Sequence, residues 1–181
     1  VTKELCDVIK NQFRDKCIIL GGPHPTVMPK EVSEEMNADI IIAGEADNII
    51  SDVVNNLDEY KKKRLVTAGI VMKLDTMPFP ARHLVDMSKY TSLPNTYKIS
   101  PNTFQMVTSR GCPFTCTFCH DAKGVFRQRS VENVIGEIKH LQEKYNVKEI
   151  AFWDDIITLN KAWMYKFCEA LEKEKINLVW S

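Results

Sequence analysis

The 181-residue sequence has no excess of charge: 24 Lys and Arg stand against 24 Asp and Glu. That excludes a surface built for nucleic-acid backbones or anionic lipid, which need surplus cations. No apolar run approaches the ~20 residues that cross a bilayer, and there is no internal repeat or low-complexity tract. Six cysteines are too few for a disulfide-scaffolded secreted domain, so where they cluster matters more than their number. What is present, 44% hydrophobic and 27% charged residues, fits a globular chain rather than a disordered one. Residue 1 is Val, and no strand precedes the first helical pattern. Residues 177–181 read as a strand with no turn after it. The sequence is therefore expected to be a piece of a longer protein, poorly stable alone because half a core and a sheet edge lie open.

Strand and helix patterns alternate. Leu5, Val8, Ile9 and Phe13 give residues 1–16 one apolar helical face. Residues 17–21 form a short continuous apolar run ending in Gly21-Gly22-Pro23, which predicts a buried strand entering a turn. A short helix is expected over 30–36, a buried strand over 39–43, a helix over 46–63 and a third strand over 67–72. Lys61, Lys62 and Lys63 sit where a helix dipole favours cations, so the basic run reads as a helix end. Alternation of this kind predicts a parallel α/β sheet. Pro78, Pro80, Pro94 and Pro101 break the rhythm, and residues 74–103 read as a connector. Periodicity resumes with a strand over 103–109, a loop over 110–129, a helix over 131–145 capped by Ser130, a strand over 147–153 ending at Asp154-Asp155, a helix over 160–174 and a last strand at 177–181. This second half reads as the opening of a β/α barrel or another α/β sheet.

Cys112, Cys116 and Cys119 place three thiols within eight residues, in a loop after a strand. Cys6, Cys17 and Cys168 are isolated and read as small hydrophobes. Three soft thiolates suit iron–sulfur or zinc. A [4Fe–4S] cube on three thiolates leaves one iron open. Structural zinc wants a fourth ligand, for which His120 is adjacent, although neighbouring residues rarely reach one tetrahedral ion. Cys116-Thr-Phe-Cys119-His120 also matches the covalent haem pattern, which leaves Cys112 unexplained. The iron–sulfur reading explains all three thiols. The rival from another class is a non-catalytic, zinc-stabilised binding module. Gly21 and Gly22 end a strand where backbone can approach a ligand closely, and His24, between two prolines, reads as a loop histidine. Arg127, Arg129 and Ser130 precede a helix, where an anion site and a solvated N-cap are both open readings.

The Cys-x3-Cys-x2-Cys spacing, with Phe118 before the last cysteine, resembles the signature of the radical S-adenosylmethionine (radical SAM) enzymes. Thr108-Ser-Arg-Gly-Cys-Pro-Phe-Thr-Cys-Thr-Phe-Cys119 resembles the subgroup with an N-terminal cobalamin-binding domain, which includes anaerobic magnesium-protoporphyrin ester cyclase-like proteins and cobalamin-dependent methylases. Leu20-Gly-Gly-Pro-His-Pro-Thr26 and Ile42-Ala-Gly-Glu45 resemble later strands of that domain, and Leu74-Asp-Thr-Met-Pro-Phe-Pro80 its linker. The resemblance implies a partial Rossmann-like cobalamin-binding sheet over 1–73, a linker over 74–103 and the first β/α units of a radical SAM partial TIM barrel over 104–181. It implies that Cys112, Cys116 and Cys119 hold a [4Fe–4S] cluster whose fourth iron binds S-adenosylmethionine, that Phe118 lies beside the adenine, and that Asp154 or Asp155 meets the methionine ammonium. In the same way Gly21 and Gly22 would contact the nucleotide tail of cobalamin. The family's Asp-x-His-x-x-Gly cobalt-ligand loop has no counterpart in these residues. The chemistry implied is reductive cleavage of S-adenosylmethionine to a 5′-deoxyadenosyl radical, then hydrogen abstraction from a small-molecule substrate, with methyl transfer or oxidative cyclisation as outcomes. An electron donor such as flavodoxin or ferredoxin, no nucleic-acid partner, no membrane span and a cytoplasmic location are expected with it.

Overall fold

The computed structural model describes residues 1–90, 103–119 and 124–181. His120, Pro94 and Pro101, and with them part of the expected connector, lie outside the described residues. The chain divides into two compact units, Val1–Met72 and Lys73–Ser181. Both are α/β with parallel strand pairing.

The first unit runs α1 (Thr2–Gln12), β1 (Ile19–Leu20), α2 (Pro23–Val27), α3 (Pro29–Glu35), β2 (Ile40–Ala43), α4 (Ile50–Asn55), α5 (Leu57–Lys63) and β3 (Leu65–Thr67). The sheet order is β1-β2-β3, with Ile19 opposite Ile40 and Ile41 opposite Leu65. All four residues of β2 are buried. Successive side chains alternate faces: Ile41 packs with Val32, Met36 and Ala38, while Ile40 and Ile42 pack with Val53 and Ala68. A strand covered on both faces must be apolar throughout, which is why Ile40–Ala43 shows no alternation in sequence.

Three local expectations differ. Gly21-Gly22-Pro23 is not merely a turn: Gly22, at φ 105°, leads into α2 with Pro23 at its first position. The single helix expected over 46–63 is a 3₁₀ turn (Ala46–Asn48) followed by α4 and α5, interrupted at Ile49 and Asn56. The third strand begins at Leu65, not Thr67, because Arg64, at φ 59°, turns the chain in one residue. The Arg64 guanidinium donates to the carbonyls of Ser33, Met36 and Ala38, which orders the exit from α3.

The second unit opens with three 3₁₀ turns (Leu74–Thr76, Arg82–Leu84, Met87–Lys89). It continues with β4 (Thr103–Met106), β5 (Ser109–Arg110), β6 (Arg127–Gln128), α6 (Val131–Tyr145), β7 (Glu149–Phe152), α7 (Lys161–Lys173) and β8 (Val179–Trp180). The parallel sheet has the order β4-β7-β8, and β5 pairs antiparallel with β6. The sequence pattern predicts α6 residue for residue. Ser130 caps it by accepting from the Asn133 N–H at 3.1 Å, and Asn146 at φ 51° ends it. Val134, Ile138 and Leu141 are fully buried against Phe104, Ile150 and Phe167, each contributing about 1.5–3 kcal/mol. Asn160, not an aspartate, caps α7 through the Trp163 N–H. No helix among the described residues is long and apolar enough to cross a membrane.

Candidate functional site

The loop that carries the three clustered cysteines leaves the sheet at the carboxyl end of β4, the end where β/α folds place their chemistry. Its two roots are held together. Ser109 pairs with Gln128 and Arg110 with Arg127. Beyond them Gly111, at φ 77°, presses against the partner segment, so a Cβ at this position would lie 2.4 Å from the Val125 carbonyl oxygen. Only glycine fits both the dihedral and the space. Cys112, Cys116 and Cys119 follow as free thiols, Cys116 exposed and the other two half-buried. The Cys119 N–H donates to the Cys116 carbonyl at 3.1 Å, a tight turn between the last two thiols. Among the described residues the three sulfurs do not stand together as a ready metal-binding group. Phe118 is 92% exposed.

The aspartates at the end of β7 are not equivalent. Asp154 accepts the Thr108 N–H on both carboxylate oxygens at 3.0 Å, and the hydroxyls of Thr108 and Ser109 at 2.7 and 2.5 Å. Asp155 is exposed. Neither caps α7.

The arginines beyond the loop are neither solvated nor free. Arg127 is buried and donates to the Val125 carbonyl. Arg129 donates to the carbonyl of Val107 and the side chain of Asn133, and pairs with Glu137 at 2.7 Å. Glu137 is 1% exposed and also pairs with Arg82 at 2.7 Å. The sequence pattern does not predict this triad. Its signal was a charged residue at 137, flanking the apolar stripe of α6 between Val134 and Leu141. Arg82 also donates to the Gln105 carbonyl, covering the open edge of β4. A cavity of about 400 Å³ lies beside this edge, lined by Met77, Phe79, Val107, Arg110 and Trp153 among others.

In the first unit Gly21 makes only an ordinary approach to the Ile42 carbonyl, and Gly22 has open space around its missing Cβ. The tighter glycine there is Gly44, at φ 98°, whose Cβ would lie 2.3 Å from the Ala68 carbonyl oxygen. His24 lies in α2. Cys6 is buried, Cys17 and Cys168 partly so. Burial, then the charge of Asp39, pushes the Cys17 thiol above its ordinary pKa.

The second unit is thus an α/β domain with a cysteine-rich loop rooted at the carboxyl end of its parallel sheet. Residues 106–181 match the family model described as the Radical SAM superfamily. The chain is 28% identical over 193 residues to an uncharacterized methyltransferase of Pyrococcus horikoshii, covering 96% of this chain and 41% of the relative. It is 28% identical to cytidylyl-2-hydroxyethylphosphonate methyltransferase of Streptomyces wedmorensis, covering 77% and 34%. It is 27% identical to the anaerobic magnesium-protoporphyrin IX monomethyl ester cyclase of Rubrivivax gelatinosus, covering 96% and 34%. The chain thus spans between a third and about two fifths of these relatives.

Proposed function

We propose that the protein carrying this chain is a radical SAM enzyme acting on a small molecule, with Cys112, Cys116 and Cys119 as the ligands of a [4Fe–4S] cluster. The observation that carries the reading is the arrangement of the loop. Three free thiols lie within eight residues, beyond a glycine turn and a strand pair that fix both roots at the catalytic end of the sheet. The donor set suits the group: three soft sulfurs, and no fourth protein ligand needed for a cube with one open iron. When bound and reduced, the cluster supplies the electron that cleaves S-adenosylmethionine to methionine and a 5′-deoxyadenosyl radical.

The chain's own residues bind and orient. Asp155, exposed at the end of β7, offers a carboxylate to the methionine ammonium. Phe118 offers a flat apolar face to the adenine. The largely apolar cavity beside β4, with Arg110 on its wall, supports a small-molecule substrate. Methyl transfer and ring closure, the reactions in the names of the relatives, are the candidate outcomes. A flavodoxin- or ferredoxin-type donor would deliver the electron. Cobalamin enters through the methyltransferase relatives. Gly21 and Gly22 remain its candidate contacts, but their conformations are accounted for by the turn into α2, so no step is built on it.

Iron and acid-labile sulfide analysis of the anaerobically reconstituted full-length protein tests the reading. About four of each per chain, and deoxyadenosine release with reductant and S-adenosylmethionine, are expected. Zinc bound without sulfide would replace the enzyme with the binding module.

A further inference from the structure

The two aspartates at the end of β7 divide two tasks between them. We infer that Asp154 is a positioning residue that sets the cysteine loop, and that it does not contact S-adenosylmethionine; this rests on the reading above. The parallel ladder between β4 and β7 ends at Met106 opposite Phe152. The chain must then leave that sheet and enter the antiparallel β5–β6 pair at Ser109. Thr108 lies between the two ladders and is fully buried. A buried N–H here needs a partner, and Asp154 provides it on both oxygens. The Thr108 carbonyl accepts from the Arg129 N–H at 2.8 Å, and the Val107 carbonyl from the Arg129 guanidinium at 2.9 Å. The corner is thus tied on both sides, by Asp154 from β7 and by Arg129 from beyond β6. Gly111 and Cys112 follow within four residues of Thr108.

The carboxylate is also committed, chiefly through Oδ1. An ionised Asp has about four lone-pair sites; three donors, all from the buried residues Thr108 and Ser109, reach Asp154, every one of them on Oδ1, while Oδ2 shares only the Thr108 N–H. An ammonium group drawing on Oδ1 would have to displace one of these bonds and leave a buried donor unpaired, and one on Oδ2 would compete with the Thr108 N–H. Asp155 carries no such commitment.

The test uses the full-length protein. Asp154→Asn keeps the shape but turns an NH₂ group toward the donors. Supporting groups around metal ligands are typically worth about 10–100-fold in metal affinity. Asp154→Asn is therefore expected to lose iron to a competing chelator about 10-fold more readily than wild type. Once loaded, it should keep the wild-type KM for S-adenosylmethionine and the change that this ligand produces in the electron paramagnetic resonance spectrum of the reduced cluster. Asp155→Asn should do the reverse: hold iron like wild type and lose the spectral response. Thr108→Val, which removes one hydroxyl at constant volume, should weaken iron retention in the same direction, and Thr108→Ser should restore it. If Asp154→Asn fails to fold, the Thr108 pair decides: equal iron retention in Val and Ser variants overturns the assignment. So does an Asp154→Asn protein that retains iron normally but no longer responds to S-adenosylmethionine. A wild type that takes up no iron and sulfide is a different result, since it removes the enzyme reading itself.

Discussion

The two units bury different things. Among the described residues every buried polar or charged side chain (Thr103, Thr108, Ser109, Arg127, Glu137 and Glu149) belongs to the second unit, whereas the buried residues of the first are apolar. Burying a polar group without partners costs free energy, and even satisfied networks seldom stabilise more than well-packed hydrocarbon. The first unit follows the cheaper rule and builds a sheet covered on both faces. The second departs from it where the chain turns from the sheet into the cysteine loop and where Arg82 and Arg129 meet Glu137. Polar interactions are directional, so they fix the path of a loop more narrowly than apolar contacts do. The difference points to the second unit as the one in which position, rather than burial alone, is under constraint.

The contrast breaks if the buried polar network proves dispensable. Glu137→Ala leaves two guanidinium groups without their shared carboxylate, and the expected loss is about 3–5 kcal/mol. All three tryptophans of this chain, Trp153, Trp163 and Trp180, lie in the second unit, so tryptophan fluorescence of the 181-residue chain during urea unfolding reports that unit alone. A loss below about 1 kcal/mol, the range of an exposed pair, would show that the triad is ornamental.

The two tight glycines sharpen the comparison, because the same defect can be placed in either unit. Alanine at Gly44 or at Gly111 meets a carbonyl oxygen at 2.3 or 2.4 Å in a left-handed conformation. Each substitution should cost about 2–4 kcal/mol, as the sum of backbone strain and overpacking. Their consequences should separate: Gly111→Ala lowers iron uptake, while Gly44→Ala destabilises the first unit, seen by hydrogen exchange in β2, and leaves iron uptake unchanged. A smaller effect tests the apolar core itself. Ile41→Val removes one buried methylene, with an expected cost of about 1 kcal/mol in the same exchange measurement.

Legibility from sequence followed the same division. Helix α6 was read to the residue because its cap and its 3.6-residue stripe are local signals. β2 is readable as a bare apolar run, and the spacing of the cysteine trio marks its loop as a candidate site. What sequence missed depends on partners far along the chain. Nothing near Glu137 announces Arg82, 55 residues away. Nothing near Asp154 announces Thr108, 46 residues away. The two-residue strands at Ser109–Arg110 and Arg127–Gln128 are too short to carry a period. The third strand was misplaced because Ala68 and Val71, buried but outside the sheet, extend the apolar run beyond Thr67.

The first unit does hold a charged clasp at Asp39, and its pH dependence is the subtlest prediction. Asp39 accepts from the Ile18 N–H and pairs with Lys10, both at 2.6 Å. Burial pushes this carboxyl up, but the hydrogen bonds from Ile18 and Lys10, with the charge of Lys10, outweigh it and hold its pKa below the ordinary 3.8. A group whose pKa is lowered on folding contributes stability above its unfolded value and loses it as pH falls through the folded one. Asp39 should therefore support the first unit at every pH above about 4 and release it only in stronger acid. Hydrogen exchange in β2, measured from pH 5 down to pH 2 and corrected for the intrinsic rate, should show protection falling in the wild type and a flatter profile in Asp39→Asn. If the two profiles coincide, the clasp contributes nothing to the stability of the first unit.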